Sequence, residues 1–205
     1  MPELAPGLFY FPEYLSPEAQ AELRDNVRDV VRAAPLFQPT MPRTGTPFSV
    51  RMTNAGSLGW VSDQRSGYRY QATHPETGDH WPDIPEIALK AWDELGHYPA
   101  PPEACLINFY SAQAKMGLHQ DRDEQDLDAP VVSLSLGDTA IFRWGGTTRG
   151  GKTFSLKLHS GDALVLSGSA RLAFHGIDRL MPGSSSLLAQ GGRLNLTLRR
   201  VTVPK

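Results

Sequence analysis

The sequence holds a single cysteine, Cys105, among 205 residues. That excludes an internal disulfide and any cysteine-rich zinc site. No stretch comes near the roughly 20 consecutive apolar residues of a membrane-spanning helix. The start, MPELAPGLFYFPEYL, lacks the basic residues and the continuous apolar run of a secretory signal. There is no internal repeat and no low-complexity tract. Nor is there an excess of one charge: 20 basic against 22 acidic residues leave a formal net charge of −2, which excludes a strongly basic nucleic-acid coat protein. The expectation is a soluble, reduced, cytoplasmic protein with no membrane association.

What is present is ordinary globular material, with 40% hydrophobic and 20% charged residues and a length that suits one domain. The charge average hides an asymmetry. Residues 1–100 carry 8 Lys/Arg against 13 Asp/Glu, and residues 101–205 carry 12 against 9. Ser16 before Pro17 reads as an N-cap followed by proline at the first helical position. Ala21, Leu23, Val27, Val30 and Val31 then follow at helical spacing, so a helix is expected to about Ala34. Residues 35–59 read as loop with short strands. A second helix is expected from about Pro85 to Leu95.

From residue 104 the pattern turns to short β-rich segments: ACLINFY, VVSLSL, TAIFRW, FSLKLH, DALVLSG, RLAFHGI and RLNLTLRRVTV. They are bounded by Gly, Asp or Ser, as in an antiparallel sandwich or barrel. The expected layout is a helical N-terminal part packed on a C-terminal β-sandwich. The first half alone has too little regular apolar pattern for a core of its own.

Two clusters carry chemistry. His119 and Asp121 stand as H-Q-D, and in a strand residues i and i+2 share a face. His175, 56 residues later in LAFHGI, is the best third partner. Two histidines and a carboxylate form the facial triad of non-haem Fe(II) oxygenases. His-x-Asp alone is weak evidence, and on that spacing a surface histidine beside an acid is the commoner reading. In residues 193–199, Leu194, Leu196 and Leu198 take one strand face, and Arg193, Asn195, Thr197 and Arg199 take the other. This is either an edge strand with a wet face or a strand whose arginines, about 20 Å apart, clasp a small dianion from both ends. Asn108 and Tyr110 add a polar pair inside an apolar strand whose opposite face is Cys105, Ile107 and Phe109. Together these residues imply a metal and a dicarboxylate in one β-sandwich.

Taken in order, MTNAGSLGW, GYRY, WPDIP, NFYSAQAKMGLHQDRDE, SLSLGDTAIFRWGG, HSGDALVLSG, RLAFHGI and RLNLTLR resemble the AlkB-type Fe(II)- and 2-oxoglutarate-dependent dioxygenases that repair alkylated nucleic acids. The resemblance spans about residue 40 to 201. It implies a mainly β (α+β) fold: a double-stranded β-helix, or jelly-roll, with N-terminal helices and a nucleotide-recognition lid. The whole of 1–205 would be one domain, with 1–100 an extension bearing the lid and 101–205 the jelly-roll core.

The resemblance also assigns roles. His119, Asp121 and His175 would hold Fe(II) and form the catalytic centre. Asn108, Tyr110, Arg193, Asn195 and Arg199 would bind 2-oxoglutarate. Trp60, Tyr68 and Tyr70 would belong to the lid, Asp123 would contact the damaged base, Arg149 would be a substrate-contacting arginine, and Lys115 and Gln120 would contact the substrate phosphates. The implied reaction consumes O2 and the cosubstrate, giving succinate, CO2 and formaldehyde. The implied substrate is alkylated DNA, with RNA as an alternative, carrying lesions of the 1-methyladenine or 3-methylcytosine type. A base flipped out of its stack would lie between Trp60 and His119. The protein is expected to act as a monomer.

Two rival readings remain at this point. One is an Fe(II)/2-oxoglutarate oxygenase acting on a protein or small molecule, against which Trp60 and Tyr68 speak. The other is a non-catalytic nucleic-acid-binding module, against which the complete set His119, Asp121 and His175 speaks. His74, His80, His97 and His159 are expected to be structural or surface residues. Trp81, Trp92 and Trp144 are expected to be packing residues, and Cys105 a buried small hydrophobe. Arg171 and Arg200 read equally as ion pairs or phosphate contacts.

Overall fold

Ser16 caps a helix as its position suggests. Its hydroxyl accepts a hydrogen bond from the Ala19 N–H, and α1 runs Pro17–Ala33 with Leu23, Val27 and Val30 buried. The structure, a computed structural model, describes residues 3–204. Before α1 lie β1 (Glu3–Ala5) and β2 (Leu8–Phe11); after it come β3 (Arg51–Ala55), β4 (Gly59–Asp63) and β5 (Gly67–Gln71). The second helical stretch lies where expected, at residues 86–96, but changes type along its length. α2 covers Glu86–Ala91, then the chain widens into a π turn, Trp92–Gly96, that buries Trp92 and ends at His97 with φ 49°. The remaining strands are β6 (Ala104–Tyr110), β7 (Met116–His119), β8 (Val131–Gly137), β9 (Thr139–Trp144), β10 (Phe154–Leu158), β11 (Ala163–Leu166), β12 (His175–Met181) and β13 (Arg193–Arg199).

All the pairings are antiparallel. A seven-stranded sheet has the order β1-β2-β11-β8-β13-β6-β3, a four-stranded sheet the order β10-β9-β12-β7, and β4-β5 is a separate hairpin. The large sheet buries both faces. On one, Ile107, Leu134, Leu194, Leu196 and Leu198 meet Leu23, Val27 and Trp92 of the helical layer. On the other, Leu106, Val131 and Leu164 meet Phe142, Leu158 and Ile177 of the small sheet. This is the jelly-roll with N-terminal helices. Alternation along each strand divides the two cores, because side chains two residues apart share a face. Among the described residues no helix is long and apolar enough to cross a membrane.

Three local expectations need correction. RLAFHGI is not one strand: residues 171–174 follow the 3-10 turn Gly168–Ala170 without strand pairing, and β12 only begins at His175. β7 stops at His119, so Asp121 lies beyond it. β13 ends at Arg199, before Val201. The first hundred residues also do more than extend the core. β2 pairs with β11 and β3 with β6, so both halves of the chain build one sheet. β13 lies between β8 and β6, which disposes of the edge-strand alternative.

Candidate active site

A cavity of about 930 Å³ opens between the sheets and under the β4-β5 hairpin. His119 and His175 enter it as a cross-strand pair, since β7 and β12 place the two residues opposite each other. Gly176 permits that approach: a Cβ there would sit 2.5 Å from the Met116 carbonyl oxygen and 2.8 Å from that of Gly117. The imidazole centroids are 4.6 Å apart. Nδ1 of His119 lies 3.0 Å from the Gly117 carbonyl, and Nδ1 of His175 lies 2.9 Å from that of Ala173. A carbonyl only accepts, so both Nδ1 atoms carry the proton and both Nε2 atoms present lone pairs.

Each Nε2 lies 3.6 Å from a different oxygen of Asp121. One ligand atom from each of His119, Asp121 and His175 falls within 4.8 Å of the others. Burial, then the neighbouring His175, pushes the His119 pKa down to about 4. Burial opposes the Asp121 charge, but Arg199 and then His175 outweigh it and hold the carboxyl well below its ordinary value. The expected convergence is therefore present but has a different cause. Asp121 is not held by strand alternation, because it follows the end of β7.

On the wall opposite, Arg193, Asn195, Thr197 and Arg199 face the cavity as the alternation requires, together with Asn108 and Tyr110. Arg193 is fully buried and donates from Nη2 to the Ser135 hydroxyl at 2.6 Å. Among the described residues no carboxylate pairs with it. Burial lowers its pKa to about 10. Among the described residues, four buried side-chain polar atoms have no hydrogen-bond partner: Asn108 Oδ1, Asp121 Oδ2, Arg193 Nε and Arg199 Nε. Each such orphan costs about 1–3 kcal/mol, and all four belong to the proposed metal and cosubstrate residues. A divalent cation would take up Asp121 Oδ2 and a small dicarboxylate the free donor of Arg193, so these residues fit both groups; Asn108 Oδ1 is an acceptor and needs a donor instead. Asn195 spends its amide on Ser133 and Leu134 and accepts from Thr197, which fixes its orientation.

The mouth of the cavity is aromatic. Trp60 stacks on Tyr68 with centroids 5.5 Å apart, and its indole N–H donates to Asp123 at 2.8 Å. Arg149 lines the same cavity, its guanidinium 5.0 Å from the Phe174 ring centroid, and Lys115 lies on the rim. Two expected substrate contacts are placed differently. The Gln120 amide is taken up by the Leu172 and Thr147 carbonyls. The Tyr70 hydroxyl donates to Glu124 and accepts from Arg199 at 3.3 Å, behind the cavity wall.

Three residues without an assigned role also build the site. Asn54, fully buried on β3, bonds both the N–H and the carbonyl of Trp60 and so pins the lid. Its signal was a polar residue inside MTNAG. Glu124 and Arg171 form a buried pair beside Asp121. Arg200 instead pairs with Glu103, away from the cavity. His74 is buried against Phe37 and Trp81, and Cys105 is fully buried, as expected for packing residues.

Comparison with known proteins bears on this geometry. The model of the 2OG-Fe(II) oxygenase superfamily matches residues 7–199. The alpha-ketoglutarate-dependent dioxygenase AlkB homolog of Caulobacter vibrioides is 54% identical over 197 residues, covering 96% of this chain and 89% of the relative. The alpha-ketoglutarate-dependent dioxygenase AlkB of Escherichia coli is 40% identical over 201 residues, covering 96% and 91%. The solved structure of OsALKBH1 superposes with a TM-score of 0.81 at 32% identity, over 97% of this chain and 99% of that one.

Proposed function

The chain belongs to the 2OG-Fe(II) oxygenase superfamily and, within it, to the AlkB-type dioxygenases, and from that premise we propose how its residues divide the oxidative dealkylation of nucleic-acid bases in DNA repair. When bound, Fe(II) with 2-oxoglutarate and O2 supplies oxidation of an N-alkyl carbon, which leaves as formaldehyde while the cosubstrate leaves as succinate and CO2. His119, Asp121 and His175 hold the metal. The Nδ1 bonds to Gly117 and Ala173 fix both rings with Nε2 aimed at the metal position.

Arg193 takes the distal carboxylate of the cosubstrate, because it is a buried guanidinium that, among the described residues, has no carboxylate partner and leaves its Nε unpartnered. Asn108, Tyr110, Asn195 and Arg199 line the rest of that seat. Trp60 and Tyr68 receive the base, and their rings exclude water from the reacting carbon. Asp123 turns from the Trp60 indole to a cationic base such as 1-methyladenine or 3-methylcytosine. Arg149 and Lys115 contribute positive charge at the rim. Alkylated DNA is the principal substrate and RNA an alternative, and the protein acts as a cytoplasmic monomer.

The observation that carries this reading is the pair of oriented imidazoles around Asp121, facing a buried arginine that lacks an anion. The test is mass spectrometry of a methylated oligonucleotide incubated with protein, Fe(II), 2-oxoglutarate and O2. Loss of one methylene mass per lesion, dependent on 2-oxoglutarate, is expected. An untouched oligonucleotide alongside steady succinate formation on another substrate would overturn it.

A further inference from the structure

Asp121 needs a holder, because residues 120–130 contain neither helix nor strand. One side chain grips this segment at three points. Arg171 is buried and follows the 3-10 turn Gly168–Ala170. Its Nη1 donates to the Asp121 carbonyl at 2.6 Å, its Nε to the Ala129 carbonyl at 2.8 Å, and its Nη2 to Glu124 Oε2 at 3.1 Å. Glu124 in turn accepts from Tyr70 on β5 and lies 3.5 Å from Arg199 Nε. Arg199 Nη2 bonds Asp121 Oδ1 at 2.8 Å. Asp121 is thus held by its backbone through Arg171 and by its side chain through Arg199, and Glu124 stands between the two arginines.

We propose that Arg171 is a positioning residue for the metal site, fixing the Asp121 carboxylate through the backbone of its own loop. This rests on the assignment of Asp121 as a metal ligand. Two of the three bonds go to main-chain carbonyls of the ligand-bearing segment, and only a guanidinium offers donors in a fixed fork that reaches three separated acceptors. A purely packing role would not require that. A whole buried ion pair is often replaceable by apolar side chains without loss of stability; what Arg171 adds beyond its pair with Glu124 is the two bonds to main-chain carbonyls of the loop. Partners that orient metal ligands without touching the metal typically change metal affinity by about 10–100-fold.

The experiment is titration of the metal-free protein with Mn(II) alone, read by calorimetry. The set comprises the parent, Arg171→Met, Arg171→Lys, Asp121→Ala and Arg200→Met. Arg200→Met is the control, since Arg200 is a partly buried arginine bonded elsewhere. The Met variant is expected to bind Mn(II) roughly 10–100-fold more weakly, the Lys variant to fall between it and the parent, and Arg200→Met to match the parent. A folded Arg171→Met with parental Mn(II) affinity would overturn the proposal. If the Met variant does not fold, parental affinity in Arg171→Lys overturns it equally. Failure of the ligand assignment looks different: Asp121→Ala would bind Mn(II) as well as the parent, and both readings would fall together.

Discussion

Arg193 and Arg199 stand at opposite ends of β13, on the same face and under the same sheet. Their surroundings are opposite. Arg199 meets Asp121, Glu124 and Tyr70; burial opposes its charge, but these neighbours hold its pKa well above the ordinary value. Arg193 meets a serine hydroxyl and distant carbonyls, and burial lowers its pKa to about 10. The lesson is that one residue type in one repeating position serves two purposes. One arginine completes the protein's own charge network, and the other is left in need of a ligand's charge.

The largest effect is expected at Arg199. Arg199→Met leaves two buried carboxylates without their shared cation, and removing one partner of a buried pair costs about 3–5 kcal/mol. Urea unfolding of the metal-free protein should show a loss of that order; a loss below about 1 kcal/mol would mean that Arg171 alone balances the site. Arg193→Met should behave in the opposite way. Removing a buried charge that lacks a protein counter-ion leaves unfolding of the free protein unchanged or improved. The KM for 2-oxoglutarate should rise by about thirty-fold or more, since truncating a buried charge partner costs at least about 2 kcal/mol in binding. Steady-state kinetics at varied cosubstrate decides it, and a parental KM would remove Arg193 from the seat.

The same contrast extends to two aspartates. Asp121 is locked by Arg199, whereas the exposed Asp123 holds only the Trp60 indole. Asp123→Ala should cost activity on a cationic methylated base, about ten-fold or more for a charge-assisted hydrogen bond of about 1.5–3 kcal/mol, with little change in stability. Equal kcat/KM for variant and parent would end its proposed role. The smallest effect is expected from Trp60→Phe. It keeps a stacking ring and removes one donor from Asp123, so kcat/KM should move only a few-fold. A drop as large as that of Asp123→Ala would show the indole N–H to be essential rather than displaceable.

Much of this was legible in the residues. Leu194, Leu196 and Leu198 do face the helices, and Arg193 and Arg199 do face the cavity, because period-two alternation is a property of the strand itself. Ser16-Pro17 marked the start of α1 for an equally local reason. The strand ends were less legible, and so were Tyr70 and Gln120. Tyr70 shares its strand with Tyr68 yet reaches Arg199, and Gln120 spends its amide on Leu172. Partners so far away leave no mark on the neighbouring sequence.

The sequence by itself determined which side chains can share a strand face, and with them the polar wall of Arg193, Asn195, Thr197 and Arg199. Only the tertiary structure decided that Asp121 would be fastened by Arg171 and Arg199 while Arg193 met a hydroxyl and carbonyls and kept its Nε unpartnered. Alternation and capping act over a few residues, whereas Asp121 meets its two arginines 50 and 78 residues along the chain, where chain folding alone selects the partner.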